Sequence, residues 1–267
     1  RTNAQVVLDL SRWTVEQIGL AAYLGPFSQG PAQWMVSEEG TVATQTRNAD
    51  ASALISPFVL NNERIEGRWL VNTNYDDDFI GFVFGYQDSR NFYVFDWKQA
   101  GQQYFGTDYY AEVGMSVKRF QSDEPLGFAD LFVTTNDPPR VRLLHHNSIP
   151  YEDWTEYGFS LQAESGAFVI TVTQGTNELA RIDIQDTNYT NGRFGFYNLS
   201  QDQVRYTGFT RVSLPLPPII QAGPAATVEG RDGTTLLQFP VRLTGENCDR
   251  VTVDYRVRSE EHTSELQ

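Results

Sequence analysis

From residue 33 onward, apolar and polar positions alternate in short runs separated by turn residues. This is the period-two signature of strands with one buried face. Trp34-Met-Val36, Thr41 to Thr46, Ala53 to Leu60 and Ile65 to Asn72 follow it. Phe79 to Gly85 departs from it. Ile80, Phe82 and Phe84 point one way and Phe79, Gly81, Val83 and Gly85 the other, yet both sets are apolar or small. A strand of that make-up is expected to be buried on both sides. Gln87 to Asn91 is polar and turn-like and Phe92 to Trp97 reads as a second strand, so residues 74–99 predict a hairpin. Further strands are expected near Gln102 to Phe105, Val113 to Phe120, Tyr157 to Gln162, Ala167 to Gln174, Glu178 to Ile184, Arg193 to Asn198 and Val204 to Ser213. Loops are expected at Asp123-Glu-Pro125 and at Asp137-Pro-Pro-Arg140, and Asn191-Gly192 reads as a hairpin turn. Ahead of this region, Val6 to Leu10 predicts a strand and Thr14 to Ala22 a short helix, although Gly19 weakens it. About a dozen strands with little helix define an all-β sandwich.

Residues 1–213 therefore read as one β-domain. Leu214-Pro-Leu-Pro-Pro218 is a linker, its prolines holding the chain extended. Within residues 219–257, Ala226-Thr-Val-Glu-Gly230, Thr235 to Thr244 and Arg250 to Val257 read as the opening strands of a second, incomplete β-sandwich. So short a piece cannot bury a core of its own. Residues 258–267, Arg258-Ser-Glu-Glu-His-Thr-Ser-Glu-Leu-Gln267, look like the translation of a sequencing-library adapter and are excluded from fold reasoning. Residue 1 is Arg rather than Met, so the chain is expected to be a segment of a longer protein.

Composition narrows the function classes. A net charge of −14 argues against nucleic-acid binding, which needs Lys and Arg against phosphate. It suits a surface protein or one that uses divalent cations. The single cysteine, Cys248, allows no intrachain disulfide, which points to a cytosolic or a bacterial exported protein. No apolar run approaches the ~18 residues of a membrane span.

The sharpest candidate chemistry is Asp76-Asp77-Asp78, three like charges at the start of the hairpin. Their repulsion calls for a neighbouring positive charge, and a hard cation such as Ca²⁺ suits oxygen ligands of this kind. Strand alternation would give one ion Asp76 and Asp78, whereas a loop would present all three. Ca²⁺ takes six to eight oxygens, so Asp88 and Asp186, in polar turns, are further candidates. The plainer alternative is a solvated acidic turn. His145 and His146, adjacent in a polar stretch, would face opposite ways on a strand and read as loop or core residues. Glu152-Asp153-Trp154-Thr155-Glu156 is the nearest approach to a glycosidase carboxylate pair, but it frames a turn led by Pro150. No Gly-x-Ser-x-Gly elbow is present. Trp97, Trp154, Tyr109 and Tyr110 would either line a carbohydrate groove or fill the core, and core is the expectation.

Four motifs carry a family resemblance. Asp76-Asp-Asp-Phe-Ile-Gly-Phe-Val-Phe-Gly-Tyr-Gln87, Asn91-Phe-Tyr-Val-Phe-Asp-Trp-Lys-Gln99, Gly114-Met-Ser-Val-Lys118 and Asn191-Gly-Arg-Phe-Gly-Phe-Tyr197 resemble, in order and spacing, the thrombospondin C-terminal domain. The resemblance implies a lectin-like sandwich of the concanavalin A/laminin-G (jelly-roll) type, Ca²⁺ binding, and a non-catalytic adhesion role outside the cell, with a protein or glycan ligand. The family's upstream aspartate-rich repeats and cysteine-rich modules are absent. Its receptor-binding peptide, Arg-Phe-Tyr-Val-Val-Met-Trp, corresponds to Asn91 through Trp97, where Asn91, Phe95 and Asp96 break it. Ala226-Thr-Val-Glu-Gly230, Gly233-Thr-Thr-Leu-Leu-Gln-Phe239 and Val251-Thr-Val-Asp-Tyr255 resemble the opening of a Calx-beta domain, and that resemblance places an early calcium ligand at Glu229. The pairing of these modules without disulfides implies a secreted or surface protein of bacterial origin.

Overall fold

The period-two pattern folds into two stacked antiparallel sheets. A computed structural model describes residues 5–20, 27–135, 140–215, 219–226, 233–234, 236, 238–244, 252 and 254. In chain order the strands are β1 (Val6–Val7), β2 (Thr14–Gln17), β3 (Trp34–Val36), β4 (Val42–Gln45), β5 (Ser52–Leu60), β6 (Glu63–Val71), β7 (Phe79–Asp88), β8 (Asn91–Lys98), β9 (Gln102–Gln103), β10 (Tyr110–Ala111), β11 (Gly114–Phe120), β12 (Val141–His146), β13 (Glu156–Glu164), β14 (Ala167–Gln174), β15 (Asn177–Gln185), β16 (Gly192–Leu199), β17 (Val204–Ser213), β18 (Ile219–Ala222) and β19 (Val241–Thr244). A helix, α1 (Phe128–Phe132), lies between β11 and β12. The chain divides into two compact units, Arg1–Leu214 and Pro215–Gln267.

In the first unit, sheet I runs β15-β14-β13-β6-β17-β4-β3 with β1 paired to β17, and sheet II runs β12-β11-β8-β7-β16-β5-β2. Between the sheets Ile80, Phe82, Phe84, Tyr93, Phe95 and Trp97 of the central hairpin meet Trp69, Phe159 and Phe168 of sheet I. Phe82 is the hub. Its ring centroid lies 5.0 Å from both Phe95 and Phe159 and 5.5 Å from Phe194. The other face of sheet II is covered as well: Phe79, Val83, Tyr86, Phe92 and Val94 pack with Ile18, Leu126, Leu131 and Phe132. β7 is therefore buried on both sides, as its composition predicts, and the chain between β8 and β12 supplies the outer cover.

At the edge of sheet I, Ile182 and Ile184 of β15 point inward, while Arg181 and Asp183 face solvent as an ion pair at 3.4 Å. In the second unit β18 pairs with β19 antiparallel. Among the described residues no helix is long and apolar enough to cross a membrane.

Three expectations are corrected. Thr14–Gln17 is a strand on the edge of sheet II, not the start of a helix, because pairing with Ser52–Ile55 satisfies its backbone and places Ile18 in the outer core. Helix α1 went unseen because five residues are too few to show a 3.6-residue period. β12 went unseen too: it pairs with β11, so His145 and His146 are strand residues and not loop residues. The linker prolines 215–218 (Pro215 excepted), Glu229, Cys248 and 258–267 lie outside the described residues.

Phe82→Ala is expected to cost ~3–5 kcal/mol, the range for a deleted core aromatic. A urea titration of the two proteins measures it, and a loss under ~1 kcal/mol would contradict the hub role given to this ring.

Candidate metal centre

Asp76, Asp77 and Asp78 sit in the turn between β6 and β7, before strand alternation begins. One carboxylate oxygen from each lies within 4.8 Å of the others. Neighbouring loops fix them. Asp76 accepts from the Asp77 amide at 3.0 Å and from the Asn48 side-chain amide, and Asn48 in turn accepts from Ser200 Oγ at 3.0 Å. The Asp78 amide donates to Gln201 Oε1 at 2.9 Å, and the buried Tyr151 hydroxyl reaches Asp78 O at 2.7 Å. A cavity of about 110 Å³ opens onto Asp76 and Asp78, with Asn48, Gln102 and Ser200 as further oxygen-bearing walls.

The positive charge demanded by the sequence is partly supplied by the protein. Lys98, fully buried at the end of β8, places Nζ 2.5 Å from Asp78 Oδ1, 3.2 Å from Asp77 Oδ1 and 2.9 Å from Gln102 Oε1. A second buried pair, Lys118 with Asp96 at 2.8 Å, lies on the same face of sheet II, and Lys118 also donates to Leu131 O. Both ammonium groups lie over the Phe79 ring, Lys98 Nζ 5.1 Å and Lys118 Nζ 5.5 Å from its centroid. Burial, and then the charge of Asp78, pushes the Asp76 carboxyl up to about 7. Burial likewise pushes Asp78 and Asp96 upward against the pull of their lysines. Asp76, Asp77, Asp78 and Asp96 thus face only Lys98 and Lys118, leaving two negative charges in excess when all are ionised.

The other sequence candidates do not join this cluster. Asp186 accepts from Arg119 at 2.6 Å, from the Tyr93 hydroxyl at 2.7 Å and from the Asn188 amide at 3.0 Å. Tyr93 pairs with Phe84, six residues along from Asp78 and so roughly 20 Å away. Asp88 caps the hairpin turn at that same far end, accepting from the Arg90 amide and the Asn91 side chain. Glu152 and Glu156 are both exposed, and Glu156 lies 3.5 Å from Arg68. His146 Nδ1 contacts Ser116 Oγ at 3.2 Å, and burial pushes His145 down. Trp97 is core, as expected, but Trp154, Tyr109 and Tyr110 are exposed. Lys98 and Lys118 were missed by sequence reasoning. The available signal was Asp96 and Lys98 two apart on one face of a strand otherwise made of buried aromatics, where isolated charges are tolerated only in pairs.

Residues 29–212 match the sequence model of the thrombospondin C-terminal region. The chain belongs to the thrombospondin C-terminal family. Chicken thrombospondin-2 is 33% identical over 185 residues, 65% of this chain and 16% of that protein. Bovine cartilage oligomeric matrix protein is 34% identical over 192 residues, 66% of this chain and 25% of that protein. The chain thus spans a quarter or less of the curated relatives it matches. Among solved structures, the VIP36 exoplasmic/lumenal domain, in a Ca²⁺/Man3GlcNAc-bound form, superposes with a TM-score of 0.51 at 11% identity, covering 80% of this chain and 89% of that one. That likeness shows the shared lectin-like sandwich. The relatives named are vertebrate proteins and lend no support to the bacterial origin expected from the sequence. The segment aligned with the family's receptor peptide is β8, whose residues Phe92 to Trp97 are all buried.

Two outcomes follow from this geometry. Asp78→Ala leaves Lys98 buried beside a weaker partner and should cost ~3–5 kcal/mol with or without added ion, whereas Asp76→Asn should be tolerated; chemical denaturation of both variants separates them. The second concerns pH. An acid whose folded pKa is raised contributes stability that is present below its unfolded value, near 3.8, and is lost as pH rises through about 7. In chelator, the melting temperature should therefore fall between pH 5.5 and pH 8 by an amount that Asp76→Asn removes. An equal slope in the variant would contradict the assignment.

Proposed function

We propose that the first unit is a calcium-binding, non-catalytic interaction module of an extracellular or cell-surface protein. The observation that carries this reading is the convergence of Asp76, Asp77 and Asp78, with an excess of two negative charges when all are ionised, beside a cavity walled by Asn48, Gln102 and Ser200 and by the aromatics Phe27, Tyr75 and Phe105. That deficit matches one divalent cation, and carboxylate and amide oxygens are the donors Ca²⁺ prefers. Asp76 and Asp78, with oxygens of Asp77, Asn48, Gln102 and Ser200 at hand, would hold it. When bound, the ion neutralises the cluster and ties together the loops that carry Asn48, the three aspartates and Ser200. Family membership supports the same reading: thrombospondin-2 and cartilage oligomeric matrix protein are extracellular relatives. The ligand is a protein or a glycan of that environment. Glycoside hydrolysis has weaker support, since its one carboxylate candidate, Glu152 to Glu156, is an exposed turn in which Glu156 is paired with Arg68. For residues 219–257 we propose the opening of a Calx-beta domain, with Glu229 as its early calcium ligand; sequence likeness is the support.

The test is a melt of the whole chain in Ca²⁺ and in chelator. Calcium at a hundredfold excess over Kd should add ~2.7 kcal/mol of stability. Asp76→Asn, which keeps the Lys98–Asp78 pair, should lose most of that gain. An unchanged melting temperature in the parent protein would sink the calcium reading.

A further inference from the structure

A broad depression on the first unit shares no lining residue with the cavity at the aspartate cluster. It measures about 690 Å³ and runs between the β9–β10 ladder and α1, on the outer side of sheet II. That volume falls within the range of pockets that enclose small organic ligands. Tyr109 and Tyr110 form one wall and are 45% and 47% exposed, whereas the aromatic rings of both cores are buried. Neither has an aromatic neighbour among the described residues, although Tyr104, on the same turn, packs on Phe128 and Phe132. Their exposure is thus not a by-product of core packing.

The wall is preformed. The Tyr104 amide donates to Tyr109 O at 2.9 Å, the Thr134 amide to Tyr110 O at 3.2 Å, and the Glu112 amide to Thr134 Oγ1 at 3.1 Å. Across the groove, Asp130 accepts from the Gly127 amide at 2.7 Å and from Arg140 at 3.3 Å. The Arg140 side chain is still 42% exposed, so guanidinium N–H groups remain available to the groove. Asp108 and Glu112 add carboxylate acceptors.

We propose that this groove is a saccharide-binding site for uncharged oligosaccharides. Aromatic faces cover the C–H faces of a pyranose ring, while carboxylates accept from its hydroxyls and an arginine donates to them. Both halves of that recognition are present within one groove. Charge sets the class. Among the described lining residues Asp108, Glu112 and Asp130 outnumber Arg140 by two, so sulfated or uronic-acid glycans are repelled and neutral sugars are not. A peptide is the lesser fit, because among the described lining residues the aliphatic anchors are small, Ala129, Val133 and the buried Val141. The inference rests on the reading of this unit as an extracellular binding module, but it is independent of the ion.

The experiment is calorimetric titration of the whole chain with chitotriose, mannotriose and cellotriose, with a heparin hexasaccharide and trilysine as counter-probes. At least one neutral trisaccharide should bind, heparin should not, and Tyr109→Ala/Tyr110→Ala should weaken binding more than tenfold. Both rings are half exposed, so the variant should keep the parent's circular dichroism and melting temperature; Asp108→Asn/Glu112→Gln supplies a second variant with weakened binding. Three results would overturn the proposal: no trisaccharide bound at millimolar concentration, equal binding by both variants, or binding of trilysine alone. Repeating the titration in chelator separates the two readings. A failed calcium melt leaves sugar binding intact, and a failed sugar titration leaves the calcium melt intact.

Discussion

A strand that hides both of its faces needs two covers, and β7 sets that requirement for the whole first unit. Its inner residues, Ile80, Phe82 and Phe84, are covered by sheet I. Its outer residues, Phe79, Val83 and Tyr86, cannot be left to water, so the segment between β11 and β12 lies over that face of sheet II with Leu126, Leu131 and Phe132, joined by Ile18. The outer face of sheet II is thereby sealed at its centre. Access remains at the rim, where the aspartate turn enters β7, and in the groove beside α1.

Sealing that face also buries charge. Asp96, Lys98 and Lys118 lie under the cover, and each is tolerable only because a partner of opposite sign sits within hydrogen-bonding distance. The Phe79 ring adds a cation–π contact to each ammonium group. The pairs are balanced in the interior and unbalanced at the rim, where Asp76 and Asp77 have no second lysine. The balanced and unbalanced regions therefore meet at Asp78, which faces Lys98 on one side and the cavity on the other.

Strand positions were legible wherever packing obeys period two. Ala167 to Gln174 and Val204 to Ser213 form the strands read from their pattern. Thr14 to Ala22 misled because its polar spacing satisfies a weak helix, and only the distant edge of β5 decides for a strand. The aspartate run was visible as a cluster, but its partners come from three separate stretches: Asn48, Lys98 with Gln102, and Ser200. Only the fold brings them together. Asp186 lies apart from the aspartate run for the same reason: sequence shows a polar turn, not the arginine that pairs with it. The exposure of Tyr109 and Tyr110 was equally hidden, because an aromatic pair in a β-rich chain ordinarily reads as core.

The margin of sheet I has a consequence for association between copies of the chain. An edge strand with free backbone donors and acceptors invites a second chain to add to it. On β15 Ile182 and Ile184 point into the core, while the opposite, solvent-facing side carries Arg181 and Asp183. A strand added at this edge would set its solvent-facing side chains beside that exposed charge pair, a neighbour that disfavours stacking of apolar strands.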